Sequence, residues 1–276
     1  MTTATVPLIT PYPPDEYVRP TRVKRTAELA GDVHALTTRN LIRMRRDPQL
    51  IVLATVQPVL FVLMFRYVFG GAIHVPGQRY VDFLMPGIWV LTVVMGALQT
   101  AVGVAEDVQN GLVERLRSLP MNRAAMLIGR TSSDMARNLL VVTLMCGVGF
   151  AVGFHLHTNV VALLAALALL LAFAYALSWL FVLVGLFTKN AETAQALSFP
   201  IMAVLVFASG CFVPVASMPG WLQAFARNQP VTQVVDALRS LVLGGPTATH
   251  VVIALAWIVG MTAVTAPLAA KRYRSR

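Results

Sequence analysis

The chain is 276 residues long, 57% hydrophobic and only 12% charged. A soluble domain of this size carries about a quarter of its residues as charge, so too little polar surface remains to coat a globule and a bilayer is the expected solvent. The formal net charge of +10 then reads as a marker of membrane orientation rather than of nucleic-acid binding, because basic residues collect on the cytoplasmic side of membrane proteins. No nucleic-acid partner is expected.

Residues 1–25 form an expected disordered leader. Pro7, Pro11, Pro13 and Pro14 crowd it, and it has neither the basic start nor the apolar run of a signal peptide. Residues 26–47 read as an amphipathic interfacial helix, with Leu29, Val33, Leu36, Leu41 and Met44 near helical spacing and Arg43, Arg45 and Arg46 ahead of Asp47-Pro48. Such a helix lies naturally on an anionic leaflet.

Six apolar runs follow over 48–270, each near the 20 residues or so that cross a hydrocarbon core. They span about 50–69, 83–105, 135–154, 160–187, 193–212 and 250–270. The fourth is longer than a bilayer needs, so it tilts or protrudes. Most of the 22 Lys and Arg sit before the first run, between the second and third, between the fourth and fifth, or in the basic tail 271–276. That alternation predicts six passes with both termini cytoplasmic.

Between the second and third runs lies "NGLVERLRSLPMNR". Leu112, Val113, Leu116 and Leu119 share one helical face, Glu114, Arg115 and Arg117 flank it, and Pro120 ends it. A short helix with one greasy edge and charged flanks suits docking into a groove on a partner, the charges setting register.

The segment before the last run, "FVPVASMPGWLQAFARNQPVTQVVDALRSLVLGGP", is too patterned for a floppy loop. Pro214, Pro219 and Pro230 punctuate it; Trp221, Leu222 and Phe225 form the greasy edge of one short amphipathic piece, Val234, Val235, Leu238, Leu241 and Val242 that of another, and Gly220 and Gln229 belong to the same segment. Two helices dipping back from the outer face would satisfy their backbone groups there, with Trp221 as an interfacial anchor.

Chemistry is sparse. The dipeptide Gly-Lys never occurs, so the P-loop motif is absent, and HExxH, CxxC and GxSxG are absent too. His155 and His157 lack nearby companions for a metal. Cys146 and Cys211 read as small core residues. Within the runs Gln57 and Gln99 are the candidate pathway residues, and ionisable groups are scarce, which disfavours an ion-coupled carrier. Arg66 lies where it can snorkel, Glu106 and Asp107 close the second run, and the two halves share no repeat pattern. Energy for vectorial work would come from another chain.

The stretches "GLVERLRSLPMNRAAMLIGR" and "GCFVPVASMPGWLQAFARNQPVTQVVDALRSLVLGG", with "TTRNLIRMRRDP" upstream, resemble the membrane subunit of type 2 ABC exporters of the daunorubicin-resistance kind. The resemblance covers about residues 26–270. It implies an all-α integral membrane fold: six transmembrane helices, an N-terminal interfacial helix that also touches the ATPase, a cytoplasmic coupling helix over 112–120, and outer re-entrant helices before the last span. It further implies a permease that dimerises with an identical or paralogous half and docks a separate ABC ATPase. ATP and Mg would be bound by that partner, no cofactor by this chain. The cargo would be an amphipathic drug, antibiotic or lipid exported across a bacterial cytoplasmic membrane. Fold analogy does not name the cargo. The rival readings are a membrane-embedded lipid-modifying enzyme, which needs clustered His, Asp or Glu at the interface, and a scaffold, which has no need of a patterned outer segment.

Overall fold

The computed structural model describes residues 48–71, 73, 75, 77–111 and 123–275. The expected leader, the interfacial helix over 26–47 and the docking residues Leu112 to Pro120 lie outside the described residues. Among the described residues every regular element is a helix. They are α1 (Pro48–Leu63), continued by a π-helical turn Met64–Phe69, α2 (Tyr80–Gln109), α3 (Arg123–Ala151), α4 (Val160–Phe187), α5 (Ala191–Phe207), a 3-10 turn Val215–Ser217, α6 (Gly220–Asn228), α7 (Pro230–Leu243) and α8 (Thr247–Ser275).

Four of these are long and apolar enough to cross a bilayer: α2, the Ser133–Ala151 part of α3, α4, and α8 as far as Tyr273. Thr55–Phe69 and α5 are shorter apolar helices. Local chemistry sets the boundaries. Asn159 accepts from the Ala162 N–H at 2.8 Å and opens α4, and Asn190 accepts from the Thr193 N–H at 2.8 Å and opens α5, both ordinary N-caps. Pro230 stands in the first turn of α7, where its missing N–H costs nothing. Gly244, at φ 93°, ends α7 in a conformation that other residues resist.

The helix α2 is the axis of the molecule. It packs against α1, α3, α4, α5 and α7, and 78% of its most apolar stretch is buried, against 17% for α8. Trp89, Leu84, Met85, Ile88 and Leu91 of α2 meet Phe173, Leu170 and Leu177 of α4 in the main core. Two glycines allow backbone to touch backbone. A Cβ on Gly185 would lie 2.5 Å from the Ala101 carbonyl oxygen, and one on Gly87 would run into that of Cys211. Further along, Val104, Trp179, Val182, Leu186, Ala269 and Tyr273 join α2, α4 and α8 in a second cluster.

The apolar run expected over 193–212 is not one helix. Helix α5 stops at Phe207, and residues 208–212 form a buried turn laid across α2 at Gly87. Phe212 in that turn stacks on Phe65 of the π-helical turn, with ring centroids 4.4 Å apart and planes 3° apart, and Phe61 and Phe207 close the aromatic group. At the other extreme, α3 begins at Arg123, well before the apolar run that opens near Met135, because polar residues continue a helix as readily as apolar ones.

Candidate functional site

Three polar junctions are built on α2. The first is at its start. Asp82 is fully buried and accepts from Arg79 Nε at 2.9 Å and Nη2 at 3.1 Å, and from the His155 backbone N–H at 2.9 Å. Arg79 Nη2 also donates to the Gly153 carbonyl at 3.1 Å, and His157 Nε2 lies 3.8 Å from Asp82. The loop between α3 and α4 is thereby tied to α2. The same loop is tied to the end of α7: the His157 N–H donates to the Val242 carbonyl at 3.0 Å, and the Thr158 hydroxyl to that of Leu241 at 2.8 Å.

The second junction is Arg239 of α7. Its Nε and Nη2 each donate to the Phe83 carbonyl at 3.1 Å, and Nη2 reaches Gly210 at 2.7 Å and Cys211 at 3.3 Å. Its guanidinium carbon lies 3.5 Å from the Phe83 ring centroid, and Asp236 is 3.4 Å from Nη1. One planar cation thus satisfies carbonyls that follow the end of α5, where acceptors lack intrahelical donors and positive charge is favoured. It also pins α7 to α2.

The third junction joins α2 to α3. The Thr100 hydroxyl donates to Asp134 Oδ2 at 2.7 Å, Arg137 Nη2 donates to the Gly96 carbonyl at 2.7 Å, and Arg137 lies 3.6 Å from Asp134. Asn138 is buried beside them. A Cβ on Gly96 would come within 2.5 Å of its Oδ1, so any larger residue there requires the Asn138 side chain to move.

The residues expected in the segment before the last helix fall close together. Pro214 precedes the 3-10 turn, and Pro219 and Gly220 open α6. Gln223 Nε2 binds α6 back to that turn through the Met218 carbonyl at 2.8 Å and the Ala216 carbonyl at 3.2 Å. Trp221 is 77% exposed, so it is no core residue. Gln229, buried at the joint between α6 and α7, donates to the Ala208 carbonyl, and Pro230 starts α7. Gln57 and Gln99 are both exposed, on α1 and α2. Gln99 stands out on α2 because Leu98 and Thr100 beside it are buried.

Sequence reasoning missed Asp82, Thr100, Asp134, Asn138 and Arg239. A charge inside or beside an apolar run was the available signal, but their partners are remote in sequence. Among the described residues no group of three His, Cys, Asp or Glu is placed to hold a metal.

Long apolar helices, with polar contacts gathered at the helix junctions, define an all-helical, multi-pass membrane protein. The sequence model of the ABC-2 type transporter family matches residues 32–243, and the chain belongs to that family. It is 29% identical over 238 residues to the daunorubicin resistance ABC transporter permease protein DrrB1 of Streptomyces coeruleorubidus, covering 86% of this chain and 84% of that protein. It is 28% identical over 239 residues to the probable doxorubicin resistance ABC transporter permease protein DrrC of Mycobacterium tuberculosis, covering 86% of each. A putative transport permease, ycf38, of Cyanophora paradoxa is 24% identical over 214 residues, 76% of this chain and 73% of that protein.

Proposed function

We propose that this chain is the membrane permease subunit of an ATP-driven exporter that moves an amphipathic drug, antibiotic or lipid outward across a bacterial cytoplasmic membrane. The observation that carries the reading is the likeness, over 86% of the chain, to permeases named for daunorubicin and doxorubicin resistance. A separate ABC ATPase binds ATP and Mg, and the absence of a Gly-Lys dipeptide from this sequence agrees with that division of labour. Six helices cross the membrane, with α1 and α5 as the two short spans. Both termini and the segment 112–120 face the cytoplasm, which the clustering of Lys and Arg supports. The end carrying α6 and α7 then faces outward, and Trp221 sits at the outer interface. A second permease half completes the pathway, toward which Gln57 and Gln99 contribute polar side chains.

Segment 112–120 is the coupling helix. Leu112, Val113, Leu116 and Leu119 enter the ATPase groove, and Glu114, Arg115 and Arg117 fix the register. The test is Leu116→Asp in vesicles holding the permease and its ATPase, with daunorubicin as probe. The variant is expected to insert normally yet lose drug-stimulated ATP hydrolysis. Stimulation equal to that of the wild type would refute the docking role.

A further inference from the structure

The junction between α2 and α3 is built differently from the rest of the contacts along these helices, which are mainly apolar. Gly96 and Thr100 are one turn apart on α2, and Asp134, Arg137 and Asn138 share one face of α3. Between them run a hydroxyl-to-carboxylate bond of 2.7 Å and a guanidinium-to-carbonyl bond of 2.7 Å, and within α3 Arg137 lies 3.6 Å from Asp134, which holds the two cross-linking side chains together. Asp134 is 7% exposed and Asn138 3%, and Asn138 Nδ2 finds no acceptor among the described residues. Such a seam is a poor device for stability, because apolar replacement of a buried ion pair is commonly neutral or stabilising. What directional bonds do supply is register: two helices joined by them cannot slide or rotate past each other without breaking a buried bond.

Its position says what that register serves. Residues 110–122 connect α2 to α3, so these are the two helices that receive any push on the proposed coupling helix. At 1.5 Å per residue, Thr100 lies about 14 Å from the Gln109 end of α2, and Asp134 about 17 Å from the Arg123 end of α3. The arms are nearly equal. At the far end, Asp82 and Arg79 tie α2 to the loop that follows α3. The pair is fastened twice, and α2 carries α7 through Arg239.

We propose that Gly96, Thr100, Asp134 and Arg137 form a positioning seam that makes α2 and α3 one rigid lever, so that force from the ATPase on the connecting segment reaches the α6–α7 end. The proposal rests on the exporter reading above. None of these residues touches the cargo; they act by holding the two helices in register.

The test uses the full chain assembled with its ATPase subunit in vesicles, with two seam variants. Asp134→Leu combined with Arg137→Leu removes both charges and leaves no stranded ion, and Thr100→Val removes one hydroxyl at nearly constant shape. Both are expected to retain the ATPase and hydrolyse ATP at the basal rate. Daunorubicin accumulated per ATP is expected to fall about tenfold in the double variant and several-fold in Thr100→Val, with Thr100→Ser restoring most of it. Wild-type accumulation per ATP in both variants would overturn the seam, as would losses that merely track the amount of assembled complex. A second readout needs no drug. A fluorophore on Ala224→Cys, exposed on α6, is expected to change its emission when Mg-ATP is trapped with vanadate, and Thr100→Val is expected to abolish that change. An unaltered change in Thr100→Val contradicts the seam even where daunorubicin is not the cargo, whereas wild-type vesicles that ignore both drug and nucleotide contradict the exporter reading instead.

Discussion

Replacing Asp82 by Ala strands the His155 N–H and leaves Arg79 without its carboxylate at a position sealed from solvent. Arg79 is half exposed and can rehydrate, so the loss is mainly that of unsatisfied buried groups, about 1–3 kcal/mol. Thermal unfolding in detergent is expected to show that loss, and an unchanged midpoint would mean that the loop after α3 holds its place without the carboxylate. Arg239→Met has the larger expected cost, about 3 kcal/mol, because the Gly210, Cys211 and Phe83 carbonyls lose a charged donor together. Arg239→Lys is expected to recover only part of it: a point charge cannot span three carbonyls as the planar guanidinium over the Phe83 ring does. Neither role was visible in the sequence. Arg239 stood there as one cation in an amphipathic piece of the expected outer segment, and Arg137 as one more member of an expected cytoplasmic basic cluster. Their meaning comes from acceptors brought in from another helix, Phe83 and Gly96, and local pattern carries no such information.

Helices were legible wherever one physical rule dominated. The run over 160–187 matches α4 at both ends, since an unbroken apolar stretch is bounded by Asn159, a ready cap, and by Thr188, whose hydroxyl bonds back to Gly185 at 2.9 Å. The fifth run was harder because hydropathy cannot distinguish a helix from a buried turn. Residues 208–212 carry no charge and extend the apolar run, yet Gly210 and the crossing with α2 at Gly87 divert the backbone. The glycines give a sharp test at this scale. Gly87→Ala sets a methyl against the Cys211 backbone oxygen and is expected to destabilise by about 2 kcal/mol, since neither backbone can yield easily. Gly147→Ala in α3, whose added Cβ meets nothing within 4 Å, is expected to be neutral or to stabilise by up to about 1 kcal/mol. Equal effects of the two on unfolding would mean that α2 and the 208–212 turn are less closely packed than their backbones indicate.

For the molecule as a whole, the burial pattern separates a central column from a periphery. Most of α2 is enclosed, whereas α1 with its π-helical turn, α5 and α8 expose large apolar side chains such as Leu60, Tyr67, Phe199 and Val259. A soluble monomer rarely does this, and lipid or a second permease half covers that surface under the proposed function. The composition announced the bilayer, and the charge distribution proposed the topology, because both are summed properties that need no partner residue. The contacts that join α2 to α3 and to α7 link residues distant in sequence, so only the assembled fold displays them. The proposed topology predicts that an impermeant thiol reagent applied to intact cells labels Ala224→Cys and spares Ser275→Cys, and the reverse pattern would invert the orientation. The central claim is that the chain moves its cargo with energy supplied by another subunit, and the direct measurement is ATP hydrolysis and daunorubicin uptake in vesicles carrying the purified chain alone or with its ABC ATPase. The account predicts neither activity with the chain alone and both once the ATPase is added; ATP hydrolysis by the chain alone would contradict it.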